Sequence, residues 1–186
     1  VVASNGTEDQ QLSALASATD GRTRAIVTVS PNNPTGQVMT PGLLERINRL
    51  CADAGIYHIS DEAYDELVFE GQHLAPGALP GAEAHTIALY SMSKSFGFAG
   101  WRLGFTVLPP ALVDDFRKVQ DTNLICPTRI TQRLAGRLIR EWDEPRQALI
   151  AGLDAQRRLL LGRLAEVCPG IQVSGGEGAL YLWAVL

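Results

Sequence analysis

The sequence predicts an α/β fold with a mostly parallel sheet that continues into part of a smaller α+β unit. Three observations predict it. A β-branched run, an amphipathic helix and a second β-branched run follow one another between residues 24 and 60, the spacing of a βαβ unit. Polar clusters stand directly behind three successive strand-like runs, where open parallel sheets bind ligands. After Pro110 the pattern changes to long helices and then a hairpin.

Residues 1–21 are small and polar, with a short helix expected near Glu8–Ser17. Arg24–Ser30 reads as a buried strand stopped by Pro31, and Pro31–Gly36 is a dense turn signal. Thr40 then caps a helix with Pro41 at its first position, and Gly55 ends it. Leu43, Leu44, Ile47, Leu50, Cys51 and Ala54 form the apolar stripe; Glu45, Arg46, Asn48 and Arg49 form the wet face. Ile56–Ser60 is the second strand, and a Pro- and Gly-rich connection spans Gly71–Gly81. Thr86–Tyr90 is the third strand, ending at Ser91, and Arg102–Leu108 the fourth. Helices are expected over Ala111–Gln120, Ile130–Trp142 and Pro145–Val167, the second with Ile130, Leu134, Leu138, Ile139 and Trp142 on one side. The third has Leu149, Leu153, Leu160 and Leu164 inward. Ile171–Val173 and Ala179–Val185 read as strands joined through Ser174-Gly175-Gly176. This divides the chain into residues 1–144 and a second unit, 145–186.

The composition, 46% hydrophobic and 19% charged over 186 residues, supports a core. A net charge of −4 argues against nucleic-acid binding. No apolar run has the length of a membrane span. Three widely spaced cysteines form neither a disulfide framework nor a zinc pattern, so a reducing, cytoplasmic setting and no metal are expected. The chain starts at Val1 and ends on the apolar Trp183–Leu186, which suggests a piece of a longer protein.

Lys94 carries the sharpest chemical signal. Of 16 cationic side chains only Lys94 and Lys118 are lysines. Lysine can form an imine with a carbonyl and arginine cannot. At pH 7 only about one free lysine in two thousand is neutral. Desolvation by Phe96, Phe98 and Trp101, with Arg102 as a nearby cation, is expected to raise that fraction. Ser91, Ser93 and Arg102 have the donors to hold a phosphate. Asp61, directly behind a strand, can partner a protonated pyridine nitrogen, which makes such a ring an electron sink. Tyr64 shares its face if a turn begins there, and Tyr64 and the Asn33 amide can both donate to a ring phenolate. Each residue also has a plainer reading. Lys94 can be a solvated surface charge, Asp61-Glu62 an N-cap pair, Asn33 part of a turn, and Arg102 a partner for a surface carboxylate. All four would then stand at one rim by accident.

The blocks SPNNPTG (30–36), SDEAYDELVF (60–69), SMSKSFGFAGWRLGF (91–105) and GGEGALYLW (175–183) resemble the class I/II aminotransferases, pyridoxal 5'-phosphate enzymes of fold type I. The resemblance implies a three-layer α/β/α large domain followed by the start of a small domain. It implies that Lys94 forms the internal aldimine and then carries the proton, and that Asp61 partners the ring nitrogen. Asn33 and Tyr64 would bond the ring oxygen, and Ser91, Arg102 and more weakly Ser93 the phosphate. It further implies transfer of an amino group between an L-amino acid and a 2-oxo acid, in a homodimer. The family's small-residue phosphate loop, its ring-stacking aromatic and its arginine for the substrate carboxylate are not found in this sequence. The 186 residues alone are therefore expected to be inactive. A lyase of the same fold, a non-catalytic aminotransferase-like module of a transcription regulator and an inactive truncated product are the alternatives.

Overall fold

Thr40 and Gly55 bracket the helix around which the first half of the chain is organised. The Thr40 hydroxyl accepts from Leu43 N at 3.2 Å, Pro41 opens the first turn, and Gly55 closes the last with φ +64°. This helix, α2 (Pro41–Ala54), is preceded by α1 (Glu8–Ala18) and β1 (Ala25–Val29), and followed by β2 (Tyr57–Asp61). β3 (Thr86–Ser91) and β4 (Gly104–Val107) complete a four-stranded sheet. Its order is β1-β2-β3-β4; the first three strands are parallel and β4 is antiparallel to β3. Helices α3 (Val113–Asn123), α4 (Arg129–Glu141) and α5 (Asp143–Val167) follow, then a separate hairpin of β5 (Gln172–Ser174) and β6 (Trp183–Val185). The computed structural model describes residues 6–141 and 143–185. Trp142, expected at the end of a helix, and both chain ends lie outside them.

The parallel strands show one face to α2. Ile26 and Thr28, His58 and Ser60, and Thr86 and Ala88 are buried on it, in register. Ile26 joins Leu43, Ile47, Cys51 and Ile56 in one apolar cluster, and Leu12 and Leu15 of α1 pack against it. The other face carries Val27, which is 62% exposed, and Asp61. Around α4, Leu134, Ala135 and Leu138 meet Met92 and Phe98, whereas Ile130 and Ile139 are exposed.

Asn48 corrects the sequence reading. Expected on the wet face of α2, it is 5% exposed and lies over the sheet. Its amide donates to His58 Nδ1 at 3.0 Å and to Thr86 Oγ1 at 2.8 Å, and its carbonyl lies 3.1 Å from His85 Nε2. Because that amide can only donate, His58 Nδ1 accepts. The other ring nitrogen therefore carries the proton toward Thr28 Oγ1, 2.9 Å away. Helical periodicity alone cannot tell an inward asparagine with partners from a solvated one.

Burial, with His85 nearby, pushes the His58 pKa down to about 4. The unfolded chain takes up this proton near pH 6.5 and the folded chain only near 4, so the stability set by His58 is complete above 6.5 and is lost between 6.5 and 4. The loss is roughly 3 kcal/mol. Asp65, pushed up to about 6 by burial and then by Glu66 and Glu62, acts in the opposite sense over part of this range. Urea denaturation of the parent and His58→Gln proteins at pH 7 and pH 4 separates the two. The parent is expected to lose about 3 kcal/mol more than the variant, and equal losses would refute the assignment.

α5 docks through residues 146–157. Arg146 pairs with Glu66, and Arg157 bonds Glu70 at 2.6 Å and the Gly176 carbonyl at 3.0 Å. Ile150 and Leu153 pack on Tyr64 and Leu67. Leu160, expected inward, is 50% exposed because it borders an open cleft of about 180 Å³ rather than filling it. The last strand is shorter than expected. Gly178 forms an antiparallel bridge with Val68, and Ala179 donates its N–H to Leu67 O at 2.8 Å with φ +57°. Those residues are thus engaged with the segment after β2, leaving Trp183–Val185 to pair with β5.

Candidate active site

Three adjacent strand ends supply the site. Behind β1, Asn32 is used by its own turn: its side-chain oxygen accepts from Thr35 Oγ1 at 2.9 Å and its carbonyl from Gly36 N at 2.8 Å. The next residue, Asn33, is exposed and its side chain lies close enough to the Tyr64 phenol to act against the rise in its pKa. Asp61 is the last residue of β2. Its Oδ1 accepts from Ala63 N at 3.0 Å, opening the turn that carries Tyr64. The capping role and the site role coexist, since one carboxylate oxygen serves the turn and Oδ2 is the second acceptor. Behind β3, Lys94 sits in the turn with Nζ 5.6 Å from the centre of the Tyr64 ring.

The aromatic neighbour of Lys94 is therefore Tyr64. Phe96 and Phe98, expected to desolvate the lysine, pack with Met92 against α4, and Trp101 stacks on Phe98 at 5.3 Å while 50% exposed. The apolar positions of that turn are taken up by the core beneath it.

The expected phosphate ligands are divided. Ser91 and Ser93 stand together, Ser91 Oγ accepting from Ser93 N at 3.2 Å. Arg102, with φ +54°, is exposed and donates to Ala99 O at 2.8 Å, so its guanidinium is turned to its own 3-10 turn.

Two features were not read from the sequence. Tyr181 reaches Tyr64 from the connection between β5 and β6, the two phenol oxygens 2.6 Å apart and the rings edge to face. Burial, then the Tyr181 contact, pushes the Tyr64 phenol well above its usual range. A hydroxyl inside Ala179–Trp183 was the available signal, because a buried tyrosine needs a partner. Glu62 is the second. Read as half of a cap, it is fully buried, bonded to Ser60 Oγ and to His73 Nε2, each at 2.5 Å.

A seam of glycines sets the approach of Tyr181. Gly176 N and Gly178 N both donate to Gly36 O, at 3.2 and 2.9 Å. Gly36 has φ +72°, and a Cβ there would collide with the Tyr181 carbonyl oxygen and lie 2.8 Å from Gly176 N.

With this geometry in hand, comparison with known proteins gives a consistent result. The family described as "Aminotransferase class I and II" matches residues 5–186. The chain is 32% identical over 164 residues to an aspartate/prephenate aminotransferase of Thermus thermophilus, covering 87% of this chain and 42% of that protein. It is 34% identical over 170 residues to an aromatic aminotransferase of Arabidopsis thaliana, covering 88% and 41%. The fold superposes on an N-succinyldiaminopimelate aminotransferase from Mycobacterium tuberculosis with a TM-score of 0.85 at 30% identity, covering 90% of this chain and 44% of that one. The chain thus spans less than half the length of the relatives it matches. Among the described residues no helix is long and apolar enough to cross a membrane.

Proposed function

This chain belongs to the class I and II aminotransferase family, and from that membership we propose that it is the lysine-bearing part of a pyridoxal 5'-phosphate-dependent aminotransferase. The observation that carries the proposal is the convergence of Asn33, Asp61, Tyr64 and Lys94 from three neighbouring parallel strands, with the Lys94 amine over the Tyr64 ring.

The donor set fits the cofactor. A carboxylate with a second oxygen suits a pyridinium nitrogen, a phenol and an amide suit a ring oxygen, and the hydroxyls of two neighbouring serines suit a phosphate. Asp61, Asn33 with Tyr64, and Ser91 with Ser93 would hold these three ends. Arg102 would join the serines by leaving Ala99 O. Bound there, pyridoxal phosphate supplies an electron sink for negative charge at a substrate α-carbon.

The chain's own residues do the rest. Asp61 keeps a ring nitrogen protonated, because a carboxylate beside a cation favours the charged form of both. Ala63 N fixes one oxygen of that carboxylate and so aims the other. Tyr64 and Asn33 orient the ring oxygen. Lys94 Nζ, free to swing on four methylenes, takes and returns the proton of the substrate α-carbon as general base. The amino donor is an L-amino acid and the acceptor a 2-oxo acid. A homodimer and a cytoplasmic setting complete the proposal.

Labelling tests it. Full-length protein incubated with pyridoxal phosphate and reduced with borohydride is expected to carry a pyridoxyl group on Lys94 after digestion and mass spectrometry. A label on Lys118, or none, would overturn the assignment.

A further inference from the structure

Tyr64 is 4% exposed and its phenol has one proton to give. The Tyr181 hydroxyl already meets its oxygen at 2.6 Å, and the Asn33 side chain lies nearby. Asn33 comes from the loop behind β1, whereas Tyr181 lies 117 residues from Tyr64 in sequence, within the second unit. Gly36 joins the two sources, since its carbonyl accepts from Gly176 and Gly178 and its α-carbon abuts the Tyr181 backbone. Ala179 N bonds Leu67 O, three residues beyond Tyr64, and Ile150 and Leu153 of α5, like Tyr181, pack against the cluster of Tyr64, Leu67 and Ala179. The position of Tyr181 is thus fixed against both loops that carry the ring-oxygen donors. A phenylalanine would satisfy the packing; the hydroxyl is needed only for the polar contact.

We propose that Tyr181 is a positioning residue for the site: once a ring oxygen is present to accept from Tyr64, the Tyr181 hydroxyl donates to the Tyr64 oxygen and so commits the single Tyr64 proton outward, to the cofactor's ring oxygen. The inference rests on the function proposed above. With the opposite direction of donation, Tyr64 would spend its proton on Tyr181 and have none for the ligand. In a chain of donors each bond polarises the next, so Tyr181 strengthens the bond from Tyr64 to the ring oxygen. A stronger donor stabilises that oxygen's negative charge and lowers the pH at which the bound cofactor loses its shared proton. Because Tyr181 reaches Tyr64 only while residues 175–182 lie against the Asn33 loop, this strengthening is tied to that docking.

The test uses full-length protein loaded with pyridoxal phosphate and reads the pH midpoint of its visible absorbance. Tyr181→Phe is expected to raise the midpoint by on the order of half a pH unit. In a Tyr64→Phe background the same change is expected to leave it unmoved. A downward shift, no shift, or equal shifts in both backgrounds would overturn the proposal and leave the parental absorbance, and with it the functional reading, intact. Absence of a visible band in the unsubstituted protein would instead defeat the functional reading and the proposal together.

Discussion

Replacing Lys94 by alanine is expected to lower the transamination rate of the full-length protein by at least about ten-thousandfold, since general-base catalysis alone contributes ~10²–10⁴ and the lysine is also the covalent anchor. Lys94→Arg is expected to be as damaging: it keeps the charge over the Tyr64 ring but cannot lose its proton at any working pH. The two substitutions together separate chemistry from electrostatics. Lys118→Ala provides the contrast. That lysine lies on α3, is mostly exposed and pairs with Asp115 at 3.0 Å, so the rate is expected to stay within twofold of the parent, as surface ion pairs contribute little. Single-turnover kinetics with an amino-acid donor would measure all three. A Lys94→Ala protein within tenfold of the parental rate would end the proposed mechanism.

Gly36→Ala is expected to have the largest effect on structure. The residue has φ +72°, which costs an L side chain about 1 kcal/mol before any contact is counted. The new methyl would also meet backbone on its open side, the Tyr181 carbonyl and Gly176 N, and backbone cannot step aside as a flexible side chain can. A combined loss of about 3 kcal/mol or more is expected, measured by denaturant unfolding. In a Trp101→Phe, Trp142→Phe background, fluorescence quenching of Trp183 by acrylamide would register the local consequence, because the segment from Gly175 must lift off the Asn33 loop. Loss of stability below 1 kcal/mol with unchanged quenching would mean that the seam tolerates a side chain.

Much of this architecture was legible because it rests on short-range signals. Thr40, Pro41 and Gly55 delimit α2 through caps that act within one turn. The β-branched runs mark β1 to β3, and the rim position of Asn33, Asp61 and Lys94 follows from parallel connectivity. What escaped depends on contacts between distant segments. Asn48 looks solvated until His58, Thr86 and His85 are brought to it from β2, β3 and the turn before β3. Tyr181 looks like one member of a strand until its backbone is brought against the Gly36 turn. The resting direction of Arg102 is equally non-obvious in the sequence: its backbone, with φ +54°, turns the guanidinium to Ala99 O, so a phosphate role requires it to leave that contact. The aromatic residues near Lys94 were assigned to the lysine because they are close in sequence, although the core under the turn claims Phe96 and Phe98.

The Thr28–His58–Asn48–Thr86 chain beneath the sheet has a meaning for errors in assembly. A slip of one residue between parallel strands would turn every side chain to the opposite face and strand these polar groups without partners, at about 1–3 kcal/mol each. The same slip would carry Asp61 away from Lys94. The network therefore acts as a proofreader for alignment: misthreaded sheets are rejected as unstable before they can persist as folded but chemically dead molecules.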